Sequence, residues 1–305
     1  MRRVVITGAG TINALGHDVP TTLAALREGR SGIGPLDIRD VERLNIRIGA
    51  QVRDYDPEAH FPRGALSVLD RISQFALIAA REAVARAGIS FDGPAGARAG
   101  VILGNSGGGL ETLDENYRAV YAEGRNRVPP LVVPKLMGNA PASQISMAHG
   151  LHGPSFVVSS ACASSNHAMG LALAMIRAGQ ADVMLTGGTE AMLCFGGIKA
   201  WEGLRVMSPD RCRPFSKSRN GMVQGEGAAV FVFEALEHAR ARGAEILAEV
   251  AGHAMTADAA DLVAPSGAGA AEAMRGALAD AGLRAEEIGY INAHGTGTKL
   301  NDRVE

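Results

Sequence analysis

The chain has 305 residues, of which 47% are hydrophobic and only 4% aromatic, so it can bury a sizeable core as one large domain or two smaller ones. Thirty Lys and Arg against 32 Asp and Glu leave a net charge of −2, which provides no overall attraction to nucleic acid or an anionic membrane. Three cysteines, Cys162, Cys194 and Cys212, are an odd number without CxxC spacing, which argues against a disulfide framework and a zinc site and fits a reducing cytoplasm.

In chain order, Val4 to Ile6 read as an apolar strand entering a glycine turn at Gly8 and Gly10. The third glycine, Gly16, comes too late for a dinucleotide-binding GxGxxG, and the run is too short for a signal peptide. Ile72, Phe75, Ala76 and Ala79 follow i, i+3, i+4, i+7, predicting a helix from Asp70 to Ala87 that stops at Gly88. Val101–Leu103 is a short buried strand before a glycine-rich loop through Gly107, and a helix is expected over 111–122. A Pro-interrupted loop at Pro129, Pro130 and Pro134 follows.

The run Val157-Val158-Ser159-Ser160-Ala161-Cys162 is an apolar strand ending on a cysteine, and a small-residue helix over 162–178 begins there. At a helix start, free backbone N–H groups and the positive end of the dipole favour thiolate over thiol, so Cys162 is the candidate nucleophile. His167, five residues on, lies about 140° around the helix axis from the cysteine, which points to a structural role. His149 and His152 sit near a helix end and a turn and read as surface or capping residues. Glu226, between two glycines, reads as a buried, paired supporting carboxylate.

Strands over 183–186 and 228–234, a helix over 235–242, a strand over 246–254 and a helix over 270–281 complete the alternation, which implies a layered architecture with largely parallel strands. Ile288–Ala293 reads as a last strand that delivers His294 into the loop Gly295-Thr296-Gly297-Thr298. Carboxyl ends of parallel strands gather at one sheet edge, where Cys162 and His294 could meet. No run of apolar residues is long enough for a membrane span.

With these motifs, and with Asp182–Glu190, Arg213-Pro214-Phe215 and Gly221–Gly227 in the same order, the chain resembles the β-ketoacyl-acyl-carrier-protein synthases of the elongating, Cys-His-His class, among the thiolase-like condensing enzymes. The resemblance implies an α/β thiolase-like layered fold of two similar α/β halves, here residues 1–245 with the nucleophile and 246–305 as an incomplete second half. Members of the family continue past the His-Gly-Thr-Gly-Thr loop with a lysine, a second histidine and a further glycine-rich loop, so the chain is expected to be truncated. The implied activity is decarboxylative Claisen condensation of an acyl thioester on Cys162 with malonyl-acyl-carrier protein, in fatty-acid, polyketide or signal-lipid elongation. His294 would be the second catalytic residue. The alternative is a non-condensing relative that serves as partner or scaffold subunit of a complete synthase.

The resemblance further implies substrate contacts at Gly107, where an open pocket would admit a long acyl chain, at Val132 from a partner subunit, and at Thr296 and Thr298 for a pantetheine arm. It implies a homodimer in the cytoplasm, acyl-carrier protein and malonyl or acyl thioesters as partners, and neither cofactor nor metal. Where relatives carry basic residues ahead of the helix at Asp70, this chain has Ala65–Leu69, with only Arg63 and Arg71 nearby. Carrier-protein docking is therefore expected at Arg205, Arg211 and Arg213. The stretches Cys162–Ala168 and Lys199–Glu202 resemble the nodulation type of signal-lipid synthase.

Overall fold

A computed structural model describes residues 1–305. The strands are β1 (Val4–Asn13), β2 (Gly34–Pro35), β3 (Ile48–Gly49), β4 (Ala99–Gly104), β5 (Ser155–Val158), β6 (Val183–Glu190), β7 (Gly227–Ala235) and β8 (Ala248–Glu249). The helices are α1 (Val19–Arg27), α2 (Pro57–His60), α3 (Arg63–Leu66), α4 (Arg71–Ala87), α5 (Pro94–Ala97), α6 (Leu110–Tyr121), α7 (Val132–Leu136), α8 (Ala140–His149), α9 (Ser164–Arg177), α10 (Phe195–Gly203), α11 (Leu236–Ala241), α12 (Gly267–Ala281) and α13 (Asn301–Val304).

One six-stranded sheet, in the order β5-β4-β6-β7-β1-β8, organises the molecule, with a small β2-β3 hairpin beside it. It is mixed, which corrects the expectation of largely parallel strands. The β5-β4-β6 part is parallel, whereas β6-β7, β7-β1 and β1-β8 are antiparallel. Alternating strand and helix patterns show which segments are buried but not the direction in which a strand enters the sheet.

Helices cover both faces. On one, α4 packs Ile72, Phe75, Ala76, Ala79, Ala80 and Ala83 against Ile12, Val101, Leu185, Val230 and Val232. Its ends follow the sequence. The Asp70 carboxylate accepts the Ile72 N–H at 3.1 Å as N-cap, and Gly88 takes the left-handed φ of 58° that a C-terminal stop requires. On the other face, α9 packs Ala168, Ala172, Leu173 and Ile176 against Val4, Ile102, Met184 and Phe233. A helix buried along such a stripe gains most of its stability from that packing.

Three local expectations change. Gly8 and Gly10 lie inside β1 rather than in a turn; a Cβ on them would fall 2.1 Å from the Ala83 carbonyl oxygen and 2.0 Å from that of Ala79, so they are glycine because α4 rests directly on the strand. The strand expected over 246–254 is reduced to Ala248–Glu249, because the chain leaves the edge of β1 and lays Gly252 against Ala277 and Ala281 of α12. Ile288–Ala293 forms no strand, and Tyr290 and Ile291 are exposed; an alternating pattern is local, whereas a strand needs a neighbour. The proline-rich segment also contains the short helix α7, with Pro134 in its first turn. No helix is long and apolar enough to cross a membrane.

Candidate active site

The parallel strands β5, β4 and β6 end at one edge, and the start of α9 is seated on the last two. Glycines make that seat. A Cβ on Gly104, the last residue of β4, would lie 2.2 Å from the Ser164 carbonyl carbon, and one on Gly188 in β6 would lie 1.9 Å from Ser165 Oγ. Side chains at either position would push the helix start away from the sheet.

Between β5 and α9 the chain makes a tight turn, so the strand ends at Val158, four residues before the cysteine it was expected to reach. Ala161 has a left-handed φ of 51°, costly for a residue with a Cβ and held by its surroundings. The Ser160 N–H donates to Ser164 Oγ at 2.8 Å, and that hydroxyl donates to the Ala161 carbonyl at 2.7 Å. The Ala163 and Ser164 N–H groups close the turn onto the Ser160 and Ala161 carbonyls. Cys162 is thereby raised to the surface immediately before Ala163, the N-cap of α9.

Its thiol meets the imidazole of His294, although 131 residues separate the two in the chain after Cys162. The imidazole beside it, more than any other influence, holds the Cys162 thiol below its ordinary range against the opposing effect of burial, and the backbone N–H of Cys162 itself contributes. The neighbouring thiol in turn raises His294. The other two thiols go the opposite way: burial pushes Cys194 up to about 11 and raises Cys212 as well.

The His294 loop is braced by carboxylates. Glu305 accepts the His294 and Gly295 N–H groups at 2.6 and 2.8 Å. Asp302 accepts the N–H of Phe215 at 2.8 Å and of Gly297 at 3.1 Å. Thr296 and Thr298 hydrogen-bond each other through their hydroxyls at 2.8 Å. Both are half-buried.

A cavity of about 550 Å³ opens beside Cys162, lined among others by Asn105, Ser106, Glu190, Met192, Trp201 and Gln224. Gly107 borders this wall, since a Cβ there would point 2.5 Å from Met192 Sδ. Val132 begins α7 and does not line the cavity within this chain. Glu226 is buried as expected: it accepts from Arg71 at 2.6 and 2.9 Å and from the Val52 N–H at 2.9 Å. His149 ends α8 before the left-handed Gly150, and His152 follows in the loop.

Arg205 and Arg211 are exposed, whereas Arg213 is tied to Asp210 at 2.8 Å and to Asn220 at 3.0 Å. Arg213 is thus partly committed within the molecule. No group of three or more His, Cys, Asp or Glu side chains is arranged to hold a metal ion.

Sequence reasoning missed Glu190. Its carboxylate accepts the Ser106 N–H and hydroxyl at 2.8 and 2.6 Å and the Gly107 N–H at 3.3 Å, fixing the glycine-rich loop against the end of β6. The available signal was a lone acidic residue at the carboxyl end of an otherwise uncharged strand. Met192 was missed too, and nothing in its local pattern distinguishes it.

Comparison with known proteins agrees with this arrangement. Residues 1–239 match the beta-ketoacyl synthase N-terminal domain and residues 247–305 the beta-ketoacyl synthase C-terminal domain. The chain is 50% identical over 304 residues to Nodulation protein E of Rhizobium sp. (strain N33), covering all of this chain and 75% of that protein. It is 37% identical over 311 residues to 3-oxoacyl-[acyl-carrier-protein] synthase 2 of Staphylococcus aureus (strain N315), again covering all of this chain and 75% of the relative. Among solved structures, the ishigamide ketosynthase/chain length factor superposes with a TM-score of 0.94 at 36% identity, over 100% of this chain and 76% of that one. With both domain matches spanning nearly its whole length and a cysteine–histidine pair where the sheet edge meets α9, the chain belongs to the beta-ketoacyl synthase family.

Proposed function

We propose that the protein is a β-ketoacyl-acyl-carrier-protein synthase whose nucleophile is Cys162, and that it elongates an acyl chain in fatty-acid or signal-lipid synthesis in the cytoplasm. The observation that carries this reading is the exposed Cys162 thiol, raised on a strained left-handed turn at the start of α9 beside a cavity of about 550 Å³, with His294 near enough to lower its pKa. A thiolate so placed attacks the acyl thioester presented by acyl-carrier protein; the carrier's thiol departs and the acyl group remains on Sγ. Malonyl-acyl-carrier protein then loses carbon dioxide, and the enolate carbon attacks the Cys162 thioester. The β-ketoacyl product leaves on the carrier and the thiolate is regenerated.

Once Sγ is acylated it no longer holds a proton or a negative charge for His294 to pair with. The imidazole N–H can then serve the thioester oxygen of the malonyl group, on which charge develops as carbon dioxide leaves. The Cys162 backbone N–H is suited to the oxyanion formed on the acyl carbon. Thr296 and Thr298, on the loop that carries His294, would meet the pantetheine arm, and the exposed Arg205 and Arg211 would meet the acidic carrier. The acyl chain would run along the cavity wall bordered by Gly107, with Val132 contributed by the second subunit of a homodimer. We place the junction of the two halves at residues 245 and 246.

The test is incubation with a long-chain acyl-acyl-carrier protein followed by peptide mass analysis. An acyl group on the Cys162 peptide, absent from Cys162→Ala, is expected, with release of carbon dioxide and a β-ketoacyl product once malonyl-acyl-carrier protein is added. A protein whose Cys162 alkylates readily but never accepts an acyl group would overturn the reading.

A further inference from the structure

His167 does not face the cysteine, yet it is bound to the turn that presents it. Ser160 Oγ lies 2.7 Å from His167 Nδ1, although the two residues are seven positions apart. Ser160 is the residue immediately before the strained Ala161, and His167 sits in the first turn of α9. The other contacts that hold the turn are short-range: Ser160 to Ser164, Ser164 to Ala161, and Ala163 back to Ser160. The side chain of His167 is the contact that reaches farthest into the body of the helix.

His167 is itself held. The His253 ring stands edge-on to it, with ring centroids 6.5 Å apart and an interplanar angle of 84°. His253 comes from the segment between β8 and α12 and lies against Gly170, where a Cβ would come within 2.1 Å of the imidazole. The His253 backbone N–H donates to Asp280 of α12 at 2.9 Å, and Asp280 pairs with Arg177 at the end of α9 at 2.7 Å. A path of direct contacts therefore runs from α12 through His253 and His167 to Ser160. A merely space-filling histidine would not need its Nδ1 aimed at a turn hydroxyl.

We infer that His167 is a positioning residue for the Cys162 nucleophile, clamping the left-handed turn through Ser160 Oγ while His253 fixes the rotamer of the His167 ring. The inference rests on the functional reading of Cys162 given above, and it specifies what keeps the sulfur in register with His294. With the clamp broken, Ala161 relaxes from its strained φ and the sulfur moves from its place before α9 and beside His294.

The experiment follows the rate of iodoacetamide alkylation of Cys162 against pH in the full chain, with Cys212 as internal control and thermal unfolding recorded in parallel. This readout requires no carrier protein, so failure of the condensation reading and failure of the clamp are distinguishable. His167→Leu is expected to move the pH profile of Cys162 upward and to slow its alkylation at pH 7 about tenfold, without altering Cys212. His167→Asn, which can present a nitrogen or oxygen near the Nδ1 position, is expected to recover most of the rate. Ser160→Ala, a smaller change that tests the same bond if His167→Leu does not fold, should reproduce the loss. His253→Phe, which preserves ring packing, should stay within about threefold of the original. An unchanged Cys162 profile in folded His167→Leu or Ser160→Ala, or a His167→Asn as impaired as His167→Leu, overturns the inference.

Discussion

The three thiols offer a direct measure of what the turn and His294 do. An ordinary thiol, with a pKa of about 8.5 to 9, is about 1 to 3% thiolate at pH 7. Cys162 lies below that range and so exceeds this fraction. Cys194, pushed up to about 11 by burial, is about 0.01% thiolate at the same pH, giving Cys162 an advantage of at least about a hundredfold in reactive species. A less basic thiolate is also a weaker nucleophile, and over about two units of pKa with a Brønsted slope of about 0.45 that offsets roughly a factor of ten. The net expectation is at least about tenfold faster alkylation of Cys162, enlarged further because Cys194 is shielded from reagent and Cys162 is exposed. Cys212, half-buried and also raised, should fall behind Cys162 as well. Limited labelling with iodoacetamide at pH 7, followed by peptide mass quantification, reads all three in one sample. Equal labelling of the three, or Cys194 ahead, would refute the reasoning from burial and from the neighbouring His294.

At Gly107, a Cβ would come 2.5 Å from Met192 Sδ and 3.1 Å from Glu190 Oε1, so Gly107→Met must displace the cavity wall at a cost of about 1–3 kcal/mol and should shorten the accepted acyl chain; unchanged product lengths by mass spectrometry would remove Gly107 from the pocket. Arg205→Glu should weaken carrier-protein binding more than Arg63→Glu, whose guanidinium already pairs with Glu58 at 3.0 Å, and the loss should shrink as salt is added; binding measured at two ionic strengths decides it, and a larger effect at Arg63 would move docking to the region before α4. Burial alone would raise the Asp302 carboxyl, but the Phe215 and Gly297 N–H groups, Asn301 and Arg219 hold it below its usual range. Asp302→Asn sets an amide NH2 against one of those donors and should lose about 1–3 kcal/mol at pH 7. Because the folded carboxyl is depressed, that advantage is complete above the unfolded pKa of about 4 and disappears as pH falls through the lower folded value. Urea midpoints of the two proteins should therefore differ at pH 7 and converge in acid; a gap that stays constant would contradict the ionised-carboxylate account.

Features carried by a few neighbouring residues were legible in the letters. The 3.6-residue spacing from Ile72 to Ala79, with Asp70 before it and Gly88 after it, determined α4 and both its ends, because capping and periodicity act within one or two turns. The small-residue run after Cys162 marked a helix start, and the loop His294–Thr298 marked its partner in family resemblance. The tertiary structure decided what depends on residues distant in the chain. Strand direction was one such property, since a hydrophobic pattern reads the same in a parallel or an antiparallel neighbour; the strand expected at Ile288–Ala293 failed because pairing needs a second segment. The left-handed Ala161 was another: nothing in Ser160-Ala161-Cys162 demands a positive φ, which exists because Ser164 and His167 bind the turn from the helix. Glu190 and Met192 became site residues only when β6 came to lie beside β4 and set them against Ser106 and Gly107. Sequence alone thus nominated Cys162 as candidate nucleophile and His294 as its candidate partner, because thiol and imidazole chemistry resides in the residues themselves. Cys162 was placed by the sheet edge under α9 and His294 by the Asp302 and Glu305 contacts that hold its loop, because distance and burial are properties of the packed chain.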